Sequence, residues 1–216
     1  MIPRAVLLSL ALSLALGARG LSAALPDWPT LSWGMTQGEL DRALGEELTE
    51  LPGRWIYGGA YAERAVFGFD LEGLSFTAYF QMNEESDRLQ QILLERRGGV
   101  DATPQAFEET LAMLEAHYGA AAERCITARP DGTIMAADLM WRLGASTVHA
   151  SFLDFRSSGL LYFDPNVDLD PLVPSFETRR IYRRSLPRRI NIRIHPSDRR
   201  DLEWPEGCPK LKRIDP

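Results

Sequence analysis

The chain has 216 residues, with 24 Lys and Arg against 30 Asp and Glu, a formal charge of −6 and 45% hydrophobic residues. That length suits one substantial domain or two small ones, and two cysteines allow a single bridge at most. No cysteine lies near the N-terminal small residues, which excludes lipid attachment at a new N-terminal Cys.

Residues 1–24 read as a secretory signal peptide: a basic start at Arg4, an apolar run from Ala5 to Ala18, then small residues. The run is too short to span a bilayer and Arg19 interrupts it. Cleavage after Gly20 or Ala24 fits the small residues three before each cut. Removal at Ala24 takes Arg4 and Arg19 and leaves 192 residues with a net charge of −8. A periplasmic or secreted location follows as the expectation, with no transmembrane segment after cleavage. The mature charge is uneven. Residues 25–175 hold ten basic and 24 acidic side chains, net −14, whereas residues 176–216 hold twelve basic and six acidic, net +6. An acidic body therefore carries a basic tail.

Pro26 and Pro29 forbid a helix in the mature lead-in. Thr36 and Glu39 then form a capping box, Met35 and Leu40 a hydrophobic staple, and Gly45 a stop, which predicts a short helix. Eight residues cannot hold a helix alone in water, so docking must stabilise it. The stretch Trp33-Gly-Met-Thr-Gln-Gly-Glu-Leu-Asp-Arg-Ala-Leu-Gly45 resembles the opening of secreted α+β modules found in outer-membrane assembly lipoproteins and β-lactamase-inhibitory proteins. Such modules place a helix before a short antiparallel sheet and generally work by binding other proteins. This chain departs from them in lacking a lipid-bearing cysteine and in showing one short helix where a pair is common. The matching positions Gly34, Met35, Thr36, Leu40, Leu44 and Gly45 are structural, so no functional residue is carried over.

A loop through Gly58 and Gly59 and a strand over 63–69 follow from the Gly and aromatic content of residues 54–69. Leu74, Phe76, Ala78, Phe80 and Met82 alternate with polar residues, the period of a strand with one buried face, and residues 89–95 return as its partner across a polar turn at 83–87. Thr103 as N-cap, Pro104 in the first turn and Gly119 as stop bound a second helix, with Phe107, Leu111, Leu114 and Tyr118 on one face. Strands near 134–143, 147–155 and 159–163 come next.

The fold class expected is α+β: two short-to-medium helices packed on antiparallel β-sheet. An αβββ unit is present twice, over 33–99 and 100–163, with its Thr caps 67 residues apart. True duplication and convergence of simple parts fit this pattern equally. Residues 25–163 form the body, 164–175 a Pro-rich linker, and 176–216 a basic C-terminal segment. Within that segment Ile190, Ile192 and Ile194 alternate with Arg189, Asn191, Arg193 and His195, a strand predicted to pair in a hairpin with residues 178–183 across Ser185-Leu186-Pro187. An exported chain with Cys125 and Cys208 favours a disulfide that would pin the tail to the body.

The candidate site is the arginine run Arg179, Arg180, Arg183, Arg184, Arg188, Arg189 and Arg193, seven arginines in fifteen residues with no acid between them. The planar guanidinium binds phosphate or carboxylate bidentately, so the run suits an anionic envelope surface or an acidic envelope protein. Equally, it can fold onto the acidic body. Export argues against nucleic acid. Asp164, Asn166, Asp168 and Asp170 have oxygen ligands for Ca²⁺ in alternate positions. Leu169 and Ser175, however, stand where a calcium loop needs Gly and Glu, so neither metal nor cofactor is expected. His117, His149 and His195 are isolated in sequence, and residues 144–148 lack the final Gly of a nucleophile elbow. The reading is a non-enzymatic extracytoplasmic binding or adaptor protein of the bacterial cell envelope. Its rival is a periplasmic small-molecule binder, or a hydrolase, with a pocket under the helices lined by Trp33, Trp55 or Trp141.

Overall fold

The structure, a computed structural model, describes residues 28, 30–57, 59–98, 101–128, 130–154 and 188–203. Helix α1 spans Gln37–Leu44 and α2 Pro104–Tyr118. The strands are β1 Thr49–Tyr57, β2 Ala60–Leu71, β3 Leu74–Asn83, β4 Leu89–Arg97, β5 Glu123–Ala128, β6 Ile134–Leu143, β7 Ser146–Asp154 and β8 Arg188–Pro196. All eight join one antiparallel sheet in the order β1-β2-β3-β4-β8-β7-β6-β5. The fold is mixed α+β and mostly sheet.

Both helices begin as their caps dictate. The Thr36 hydroxyl accepts from the Glu39 amide at 3.3 Å while the Glu39 carboxylate accepts from the Thr36 amide at 2.8 Å, the reciprocal capping box. Thr103 accepts from the Ala106 amide at 3.0 Å, and α2 ends where Gly119 adopts a positive φ of 77°. The α2 core face includes Phe107, Leu111 and Leu114, as the spacing requires, with Tyr118 partly buried against the same core. Phe107 stacks on Phe152 of β7 at 5.3 Å between ring centroids.

Period-2 alternation decides which side of the sheet receives the helices. Phe80, Ile92, Ile194, Val148 and Trp141 form one continuous row across five strands, and Ala78, Leu94, Ile192, Ala150 and Leu139 form the next. Every one of these residues is buried. The lead-in completes this core: Trp28 packs on Phe69 and Phe80, and the Trp33 indole donates to Ser146 Oγ at 3.0 Å.

Three expectations need correction. Among the described residues α1 is followed by four strands, not three, and a strand precedes the two described of those expected after α2: β1 and β5 are additional, and they are the two sheet edges. Both lack apolar alternation because neither has a fully buried face. Second, β2 runs from Ala60, earlier than expected, since its first residues lie against β1. Third, the basic strand is not half of a separate tail hairpin. β8 pairs with β4 on one edge and β7 on the other, so both of its hydrogen-bonding edges are taken within the main sheet. Residues 1–24, the strand at 159–163, the linker at 164–175 and residues 178–183 lie outside the described residues. No described helix is long and apolar enough to cross a membrane.

If β8 is a core strand, Ile192→Ala, at a position 1% exposed, lowers unfolding free energy by about 2–5 kcal/mol. Ile126→Ala on edge strand β5, 39% exposed, costs under about 1 kcal/mol. Urea denaturation of both variants checks the contrast.

Candidate functional site

The helix-free face of the sheet is built by the residues that alternate with the core rows. Tyr79, Leu93, Arg193, His149 and Met140 lie side by side across β3, β4, β8, β7 and β6, and Thr77, Glu95, Asn191, Ser151 and Asp138 form the neighbouring row. At the β1 end this face has a small apolar cluster of Leu51, Ala62, Ala65 and Tyr79, with Trp55 stacked on Tyr79. Its centre is polar instead. Gln81, Gln91, Glu95, Thr147, His149 and His195 are all buried there.

Partners for these groups are local. The Gln91 amide donates to the Gln81 carbonyl oxygen. Glu95 lies 2.5 Å from Arg97 Nε and 3.9 Å from Arg189 Nε, a buried carboxylate between two cations. Beside Tyr79 and Glu95 a cleft of about 390 Å³ opens between Phe67, Thr77 and Arg97. Phe67 stands at its rim with 56% of its surface exposed.

The two histidines of β7 and β8 meet although 46 residues separate them, their Nε2 atoms 3.0 Å apart and the rings stacked. His195 Nδ1 lies 2.8 Å from the Pro196 carbonyl oxygen, which can only accept. His195 Nδ1 therefore has the hydrogen. At the neutral ring the Nε2 lone pair of His195 accepts from His149 Nε2–H. His149 Nδ1 is left buried with no hydrogen-bond partner, 3.9 Å from an Asp138 carboxylate oxygen. Burial pushes His195 down to about 4.

Of the seven arginines read from the sequence, Arg188, Arg189 and Arg193 are described, while Arg179, Arg180, Arg183 and Arg184 lie outside the described residues. Arg188 pairs with the buried Asp154 at 3.0 Å and Arg189 faces Glu95, so both reach acids of the chain itself. Arg193 differs. It is partly buried between Leu93 and His149, and no described carboxylate lies within ion-pair distance of it. Burial draws its guanidinium below the ordinary value, and the field of Asp138 offsets this only in part.

Other expected features resolve simply. His117 is exposed and bound to Glu72 at 2.6 Å. Ser146 is buried beneath the Trp33 indole, and Gly144-Ala145 before it is the β6–β7 hairpin turn, so no nucleophile is presented there. The three tryptophans do not share a pocket. Trp141 is a core residue donating to the Gly119 carbonyl, Trp33 belongs to the lead-in, and Trp55 lies on the opposite face. Among the described residues no group of His, Cys, Asp and Glu has the arrangement of a metal site. Cys125 lies on β5; no described cysteine is free, and Cys208 lies outside the described residues. Comparison with protein-family models, curated proteins and solved structures gives no match.

The sign of the pH dependence follows from His195. Its folded value near 4 lies below the ordinary 6.5, so between these pH values the unfolded chain binds more protons. Its contribution is complete above pH 6.5 and is lost as pH falls toward 4, a loss of about 2–3 kcal/mol by pH 4.5. Urea midpoints from pH 7.5 to 4.5 should show this fall, and His195→Gln should flatten it.

Proposed function

We propose that this chain is a non-enzymatic extracytoplasmic binding or adaptor protein of the bacterial cell envelope that engages an anionic partner through the helix-free face of its sheet. One observation carries the reading: the centre of that face holds a partly buried guanidinium, Arg193, without a carboxylate at ion-pair distance among the described residues. A cation so placed costs desolvation free energy that an incoming anion can offset. On the same face, three strands away on β2, the exposed Phe67 offers the apolar contact that anchors interfaces. The secretory character of residues 1–24 and the likeness of residues 33–45 to secreted binding modules support the same reading. The arginines from Arg179 to Arg184 add charge of the sign that draws an acidic partner, and a Cys125–Cys208 bridge would fix the chain end that follows β8.

A second reading has its own observation. The cleft beside Phe67 and Arg97 has a volume within the range of small-molecule sites and combines aromatic walls with a buried carboxylate and a guanidinium. On that reading the chain is a periplasmic small-molecule binder.

A photo-reactive residue at Phe67, activated in intact cells, separates the two. Binding to an envelope partner gives a defined protein adduct from position 67 and none from the exposed Glu108 on α2, with the protein recovered in the periplasmic fraction. Absence of an adduct at 67, or recovery in the cytoplasm, contradicts the proposal.

A further inference from the structure

We propose that Arg193, beside His149, forms a subsite for a single carboxylate presented by an acidic side chain of a protein partner. This inference rests on the binding reading of the helix-free face and names the group that is bound there.

Arg193 and His149 are direct cross-strand partners, so their side chains emerge side by side on one face. Arg193 offers a planar fork of donors with no described carboxylate on it, in a partly buried position where a charge-assisted hydrogen bond is strong. His149 is 2% exposed, and its Nδ1 has no hydrogen-bond partner. Because His195 Nδ1 must donate to the Pro196 carbonyl, the hydrogen between the two rings belongs to His149 Nε2, and His149 Nδ1 presents a bare lone pair toward Asp138. Both ring nitrogens of His149 are thus turned to the protein, so the anion's partner in the subsite is the Arg193 fork.

The charged and titratable groups facing His149 are few. Asp138 lies on β6, and Arg193 and His195 on β8. Glu203 follows β8, and its field reaches His195. Glu95 on β4 is engaged by Arg97 and Arg189, and Glu203 by Arg142 and Arg200. One uncommitted guanidinium matches one monoanion. A phosphate dianion would add two charges between Asp138 and Glu95, so a carboxylate fits better.

The test is calorimetric titration of the full chain with a tetraglutamate peptide. The expected result is saturable binding. Arg193→Gln should weaken it about tenfold or more, with Arg193→Lys intermediate because it keeps charge but loses the fork. Equal affinity in Arg193→Gln, or binding of inorganic phosphate but not of the peptide, overturns the proposal. Thermal melts establish that each variant is folded, and Arg193→Lys alone suffices should Arg193→Gln fail to fold. Peptide binding without a cross-linked partner at position 67 refutes the adaptor reading but leaves the subsite standing. Undiminished cross-linking in a folded Arg193 variant refutes the subsite alone.

Discussion

The pairing of β8 between β4 and β7 is the constraint on which the rest depends. Without it the sheet is two separate pieces, the four strands β1 to β4 and the three strands β5 to β7. With it, Ile190, Ile192 and Ile194 close the apolar rows that α1 and α2 cover, so that one core runs under both helices. The register admits no slip of one residue. Such a slip would turn three isoleucines to the polar face and put Arg189, Asn191, Arg193 and His195 into the core. A strand that arrives after all its neighbours have been made also brings contacts between residues about a hundred positions apart, such as Ile92 and Ile194, which slows folding relative to a sheet of local hairpins.

The same alternation that buries the isoleucines creates the candidate site. Every second residue of β8 must face away from the helices, and there the chain places a cation, an amide and an imidazole instead of a second apolar layer. Acids on the neighbouring strands answer two of the arginines, Asp154 for Arg188 and Glu95 for Arg189. The basic segment is therefore not simply an outward-facing tail. Part of it is built into the acidic body, and Arg193 is the described member of the run with no described carboxylate at ion-pair distance.

Local patterns made much of this legible. Both helix starts could be read because capping is a contact between residues three apart, and β3, β4, β6 and β7 because one face of each is buried. The alternation of β8 was equally plain, but its neighbours were not. Strand pairing is a long-range choice that side-chain period does not encode, and a hairpin with the nearest apolar segment was the local solution. The edge strands β1 and β5 escaped for another reason. Pro52 and Gly53 interrupt the first at an irregularity between Glu50 and Trp55, and Ile126 is exposed in the second, so neither shows the one-sided burial that marks a strand. His149 and His195 looked isolated because their meeting depends on the β7–β8 register, in which Thr147 faces His195 and His149 faces Arg193. The polar residues at 147, 149, 191, 193 and 195 were visible; only the sheet order shows that they share one surface.

Amide hydrogen exchange along β8 tests the central claim most directly. If β8 is an interior strand bonded on both edges, the amides of residues 190–194 exchange as slowly as those of β4 and β7 and far more slowly than those of the edge strands β1 and β5. Exchange of β8 at the rate of the edges, with β4 and β7 still protected, would mean that the basic segment is a loose appendage and would contradict the account of both the core and the site.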